Sequence, residues 1–183
     1  MKILFVTSNP SKFIEARLKL EKAEVKLIQK NIAYPEIQSD RLEDISTFAC
    51  EWLQKGLNKR AIIEDSGLFI EALNGFPGPY AAWIQKTIGN EGILKLMEGL
   101  PFEERRARFE ATVGYIETSK IVVFTGECQG FISMNQRGTS GFGFDPIFIP
   151  QGEERTFAQM SIQEKNRHSH RSKVLDKLAK YLI

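Results

Sequence analysis

Cysteine is scarce in this chain: Cys50 and Cys128 are the only two in 183 residues, with no Cys-x-x-Cys spacing. That excludes a disulfide scaffold and a cysteine-built zinc site, and it fits a reducing, cytoplasmic compartment. Histidine is equally scarce. His168 and His170 could form a His-x-His pair, but no third histidine or nearby cysteine completes a metal centre. No apolar run approaches the ~20 residues of a membrane-spanning helix, and the chain enters a strand pattern with no signal peptide before it. Charge of one sign is missing too. A formal net charge of +2 gives no general pull toward nucleic acid. Neither internal repeats nor low-complexity segments occur. What remains is an ordinary globular composition, 42% hydrophobic and 26% charged. We expect one domain over residues 1–183, with roughly 70% of its unfolded surface buried; two lobes remain compatible with that length.

The stretch from Lys2 to Lys12 organises the rest. Ile3, Leu4, Phe5 and Val6 suit a strand buried on both faces. Thr7, Ser8 and Asn9 stop it. Pro10 suits the first position of a helix, and Asn9 suits its N-cap. A helix start carries unpartnered N–H groups and partial positive charge, so the turn predicts an anion site. Thr7, Ser8 and Asn9 add polar groups, and Lys12 adds a charge that suits a triphosphate. A plain capped helix with a solvated lysine has the same sequence.

Further along, the spacing predicts a helix over Pro10–Lys22, a strand over Val25–Gln29 and an irregular segment over Asn31–Ser39. Asp40 with Glu43 reads as a capping box for a helix whose core stripe is Leu42, Ile45, Phe48, Ala49, Trp52 and Leu53. Ala61–Glu64 reads as a buried strand ending in an Asp65-Ser66-Gly67 turn, with an extended run resuming at Leu68. A Gly/Pro loop over Asn74–Pro79 precedes one or two helices between Ala81 and Glu98. Alternation from Arg108 to Ser133 predicts a long antiparallel hairpin turning at Thr118–Lys120. A Gly-rich loop, a strand at Ile147–Ile149 and a last helix from about Ser169 close the chain. Strands and helices alternate early and a hairpin follows, so the expected class is α/β with a mixed sheet.

Four polar clusters lie at the edges of these elements, where function tends to be displayed. One is the phosphate-like turn. A second is Asp65 with Ser66, at a strand end that could face a ligand; Glu64 should point the other way. Glu36, in the irregular segment, matters only as a partner for Asp65, because magnesium takes one or two carboxylates along with phosphate oxygens. The third is Gly141-Phe142-Gly143-Phe144-Asp145-Pro146, where glycines allow close approach, Phe142 can stack on a base and Asp145 can accept hydrogen bonds. The fourth is Lys165, His168, His170 and Arg171, suited to anion or base contacts. Each also has a structural reading, as a capped turn, a surface carboxylate, a tight connection or a solvated basic helix start.

Taken together, Thr7–Lys12 with Glu15, Glu64–Leu68, Gly75–Tyr80, Gly141–Phe148 and Glu164–Arg171 resemble the inosine triphosphate pyrophosphatase family. The five segments occur in family order and cover nearly the whole chain. The resemblance implies an elongated mixed β-sheet flanked by helices, two lobes around a central nucleotide-binding cleft, a homodimer and magnesium. It places Thr7, Ser8, Asn9, Pro10, Ser11 and Lys12 with Ser66 on the phosphates. Glu36 and Asp65 would serve the metal, and Asp65 would also be proton acceptor. Phe142, Gly143, Phe144, Asp145, Lys165, His170 and Arg171 would hold the nucleoside. The chain departs from the family at Trp83, where relatives often carry Arg, and at Ala49, where some carry Lys. One phosphate-side cation is therefore missing or supplied from elsewhere, for example by Lys55 or Lys86.

The reaction implied is cleavage of a purine nucleoside triphosphate between its α and β phosphates, giving a monophosphate and pyrophosphate. Lys12 would stabilise the leaving group. An ordinary aspartate, with a pKa near ~3.9, is a weak base at neutral pH. Asp65 is therefore expected to orient a metal-bound water, or to have a raised pKa, with activity rising toward alkaline pH. Hypoxanthine and xanthine carry a keto group at position 6, so a pocket of donors would reject adenine. Other readings are a Maf-type nucleotide pyrophosphatase, a non-catalytic nucleotide sensor, and an RNA-binding protein using Lys165–Lys173. The near-neutral charge disfavours the last.

Overall fold

The structure, a computed structural model, describes residues 1–117 and 120–183. Strand β1 (Lys2–Val6) pairs in parallel with β2 (Lys26–Lys30) on one side. On the other it pairs in parallel with β3 (Ala61–Ile70), with Leu4 opposite Ala61 and Phe5 opposite Ile62. Strand β4 (Pro77–Gly78) runs antiparallel to β3. The sheet continues through β5 (Arg106–Glu117), β6 (Lys120–Ile132) and β7 (Phe148–Pro150), in the order β2-β1-β3-β5-β6-β7. Only two residues separate β5 from its neighbour β6. That is too few for the crossover parallel strands need, so the pair is antiparallel. The turn expected at Thr118–Lys120 lies, at Thr118 and Ser119, outside the described residues.

Helices α1 (Pro10–Leu20), α2 (Leu42–Gln54), α3 (Ala81–Thr87), α4 (Gly89–Leu96), α5 (Ile162–His168) and α6 (His170–Leu182) complete the fold. Among the described residues no helix is long and apolar enough to cross a membrane.

The chain divides into two compact units. The first comprises Met1–Asp65, Ala111–Gly126 and Arg171–Ile183. Its strands bury both faces, and the alternation of side chains sorts them between two cores. Ile3, Phe5 and Ile62 join Ala16 and Leu20 of α1 and Val174, Leu175 and Leu178 of α6. Val6, Ala61 and Ile63 join Ala49, Cys50 and Leu53 of α2 instead. Each such large side chain contributes roughly 1.5–3 kcal/mol on burial.

The second unit comprises Ser66–Glu110 and Glu127–His170. Its core gathers Leu68, Ile70, Ile84, Ile93, Phe109, Phe148 and Phe157. Arg105 is buried there and donates to three carbonyls: Met97 O at 2.7 Å, Ile132 O at 3.0 Å and Ser133 O at 3.0 Å.

Four expectations change. β3 does not end at Glu64; it runs unbroken through Asp65, Ser66 and Gly67. Gly67 serves close approach and not a turn, since a Cβ there would lie 2.6 Å from Gly78 O of β4. The Asp40–Glu43 capping box is absent. α2 begins after Arg41, and Ser39 Oγ accepts from the Arg41 N–H and donates to Asp44. Lys165 belongs to a separate helix, α5, opened by a Ser161/Glu164 capping box. Element ends also shift: α1 closes at Leu20, β2 is Lys26–Lys30, and residues 145–147 form a 3-10 turn before β7.

Candidate active site

In the first unit, the turn after β1 folds as its sequence dictates. Asn9 is extended and caps α1, its Oδ1 accepting from Ser11 N at 2.9 Å and Lys12 N at 3.2 Å. Phe13 N donates to Asn9 O, and Asn9 N donates to Thr7 Oγ1. Pro10 has no N–H to offer. The first N–H groups of α1 are thus engaged within the turn, contrary to the expectation that they stay open for an anion. The helix dipole remains, with the hydroxyls of Thr7, Ser8 and Ser11 and the ammonium of Lys12.

Lys12 does not project freely. Its Nζ lies 2.9 Å from Glu64 Oε2 and 3.3 Å from Glu64 O. Glu64 is buried, and its other oxygen, Oε1, accepts from Arg171 Nη2 at 3.1 Å. Arg171 Nη1 donates to Glu15 Oε2 at 2.6 Å. Two cations and two carboxylates thus form a buried, charge-balanced chain from Lys12 to Glu15. Lys12 is the most exposed member, with 16% of its side chain accessible. Burial alone would raise the Glu64 pKa, but the charges and hydrogen bonds of Arg171 and Lys12 outweigh it and hold the carboxyl below its ordinary value. Arg171 is likewise desolvated, yet Glu64 and Glu15 raise its pKa further. Arg171, expected from its motif at the base, is here the centre of this network.

Asp65 follows on the same strand and is half-buried. Glu36 is exposed in the irregular segment 31–39. The charges of both act on the phenol of Tyr34. Its pKa is raised by burial first, then by the charges of Asp65 and Glu36, and more weakly by Glu64. Negative charge therefore gathers around Tyr34, a residue for which the sequence carried no signal beyond its neighbour Glu36. Among the described residues no group of three or more His, Cys, Asp or Glu side chains is arranged for a metal ion. A pair of carboxylates is within what magnesium requires of a protein. Ala49 is buried in the apolar core of α2, where an ammonium would be costly, and Lys55 is exposed at the end of that helix.

In the second unit, Asp145 is buried and turned into its own loop. Its Oδ2 accepts from Phe142 N at 2.8 Å and from Lys165 Nζ at 2.6 Å. The Lys165 ammonium lies 4.9 Å from the centre of the Phe142 ring and 5.4 Å from that of Phe157, a cation–π arrangement. His170 stacks on Phe109, ring centres 4.7 Å apart. Phe142, Gly143, Phe144, Asp145, Lys165 and His170 thus belong to one unit, and a lysine from α5 clamps the turn between them. His168 stands apart, with Nε2 3.3 Å from Glu153 Oε1. Ser66 begins this unit, half-buried; Lys86 and Trp83 are exposed on α3.

The chain that carries this acid–base network and this aromatic turn is similar to known proteins along nearly its whole length. The model of the Ham1 family matches residues 3–181. The dITP/XTP pyrophosphatase of Methanopyrus kandleri is 50% identical over 182 residues, covering 99% of this chain and 96% of that protein. The dITP/XTP pyrophosphatase of Pyrococcus horikoshii is also 50% identical over 182 residues, covering 100% and 97%. The solved structure of the Staphylococcus aureus Ham1 protein matches with a TM-score of 0.84 at 28% identity, covering 100% and 98%. Matched along nearly its whole length in sequence and in fold, the chain belongs to the Ham1 family.

Proposed function

We propose that this chain is a nucleoside-triphosphate pyrophosphohydrolase that removes non-standard purine triphosphates (ITP, dITP and XTP) from the nucleotide pool. The observation that carries the reading is the position of Lys12. Its ammonium meets the side chain and the carbonyl of Glu64, the residue before the half-buried Asp65 on the same strand. A cation for phosphate and a carboxylate for water thus belong to one unit. The names carried by relatives at 50% identity support the substrate class.

Thr7, Ser8, Asn9, Pro10, Ser11, Lys12 and Ser66 take the phosphates. Asp65 orients a water toward the α-phosphorus and accepts its proton. As the new P–O bond forms, the bond to the α–β bridging oxygen breaks, and Lys12 stabilises the charge that develops on pyrophosphate. Glu36 and Asp65 hold a divalent cation, magnesium in our reading, whose chemistry is to neutralise phosphate oxygens. Phe142 to Asp145, Lys165 and His170 take the purine. Both terminal nitrogens of Arg171 donate to carboxylates, so we assign it to keeping Glu64 ionised behind Lys12. The family resemblance also implies a homodimer, and the scarcity of cysteine fits a reducing, cytoplasmic compartment.

The test is pyrophosphate release, with magnesium, from inosine, xanthosine, adenosine, guanosine and thymidine triphosphates, for the wild type and Asp65→Asn. We expect turnover of the first two, reduced about 10²–10⁴-fold in the variant. Equal turnover of all five would overturn the purine pocket. Unchanged turnover in Asp65→Asn would overturn the role of the acid.

A further inference from the structure

Asn90 lies in the first turn of α4 and belongs to none of the segments that carry the family resemblance. Its Nδ2 donates to Gly143 O at 3.2 Å and to Gln136 Oε1 at 3.2 Å. A backbone carbonyl can only accept, so the donor end of the amide is fixed toward Gly143. Its Oδ1 is buried and has no hydrogen-bond partner among the described residues. The amide thus keeps its donor on Gly143 while its acceptor goes unmatched, an arrangement that calls for an explanation.

Gly143 is the weak point of the aromatic turn. Its φ is +61°, and beyond its own chain neighbours no atom lies within 4 Å of where a Cβ would be. Glycine moves between left- and right-handed backbone at little steric cost. The residue before it is held from inside the turn, since Phe142 N donates to Asp145 Oδ2 and Asp145 N donates to Phe142 O. The Gly143 carbonyl is held from α4. A trans peptide is planar, with its C=O and N–H pointing opposite ways. The hydrogen bond to Gly143 O therefore also sets the direction of the Phe144 N–H, aiming it away from Asn90.

We infer that Asn90 is a specificity-determining positioning residue, which locks the Gly143–Phe144 peptide in the orientation that favours a keto over an amino group on the bound purine. This rests on the reading in which Phe142 to Asp145 take the base. A fixed N–H donor matches the 6-keto group of hypoxanthine or xanthine and mismatches the 6-amino group of adenine. A flipped peptide presents its carbonyl and reverses that preference.

The experiment compares kcat and KM for inosine and adenosine triphosphates in the wild type, Asn90→Asp, Asn90→Ala, Gln136→Ala and Phe142→Ala. Inhibition by pyrophosphate and thermal unfolding are measured alongside. Asn90→Asp keeps the side-chain shape and replaces the donor by an acceptor. Asn90→Ala removes the donor without adding charge, and makes the same test if the aspartate variant fails to fold. Both should lower the inosine-to-adenosine ratio of kcat/KM at least about tenfold, the worth of one positioned hydrogen bond. The loss should appear in KM for inosine triphosphate, with inhibition by pyrophosphate unchanged. Gln136→Ala, which removes only the exposed partner, should leave the ratio alone. An unchanged ratio in folded Asn90 variants, with the ratio lowered in Phe142→Ala, overturns the role of Asn90 and leaves the base site standing. An unchanged ratio in Phe142→Ala as well overturns both.

Discussion

Replacing Arg171 by methionine keeps most of the side-chain length and deletes the charge at the centre of the buried network. In the wild type its guanidinium serves Glu15 at 2.6 Å and Glu64 at 3.1 Å. Removing one partner of a buried ion pair costs about 3–5 kcal/mol. Two carboxylates lose a partner here, but Glu64 keeps Lys12 at 2.9 Å, so we expect a loss of about 4 kcal/mol near pH 8. For a chain of this size, each kcal/mol lowers Tm by about 2–4 °C, giving a drop of about 8–16 °C. The pH dependence identifies the cause. The wild-type Glu64 carboxyl is held below its ordinary value, so its contribution is complete above that value and is lost as pH falls through the depressed one. Without Arg171, burial outweighs Lys12, the carboxyl shifts upward, and acid relieves the variant. The gap between wild type and variant should therefore narrow from pH 8 to pH 5 in differential scanning calorimetry. A gap below about 1 kcal/mol, or one that is constant with pH, would refute the network as described.

Two further outcomes follow from buried groups. Arg105→Met removes a charged donor from three buried carbonyls, and urea unfolding should show a loss of about 3–5 kcal/mol; a loss under about 1 kcal/mol would mean the carbonyls find other donors. The Cys50 thiol is pushed up to about 12 by burial, and secondarily by Glu51. In a Cys128→Ser background it should therefore react with a disulfide reagent at pH 8 about 10³-fold more slowly when folded than when unfolded. Similar rates in the two states would show that the thiol is accessible.

What could be read from the sequence was local. The strand, turn and helix of Lys2–Lys12 follow from four apolar residues, a capping asparagine and a proline at the first helical position, all within eleven residues. The class of the fold follows from the alternation of such segments. The continuity of β3 through Asp65-Ser66-Gly67, against its loop-like composition, depends on sheet neighbours distant in sequence: β5 beside it, and β4 opposite Leu68 and Phe69. α5 was missed although Ser161 and Glu164 carry the spacing of a capping box. At the candidate site, residue types were legible and pairings were not. Nothing near Arg171 in sequence indicates Glu15, 156 positions away, or Glu64, 107 away. The direction of Glu64 was legible from strand alternation, but its ionic partners required the folded chain.

The engaged start of α1 bears on how the enzyme parts with its products. A ring of open backbone amides grips any phosphate by shape, and a spent monophosphate fits it as well as a triphosphate does. Here Asn9 occupies the Ser11 and Lys12 amides, which leaves attraction to hydroxyls, the dipole and one ammonium. Such a site weighs its guests by total charge. On our reading it favours the highly charged triphosphate, releases the less charged monophosphate once the chain is cut, and loosens its hold as ionic strength rises.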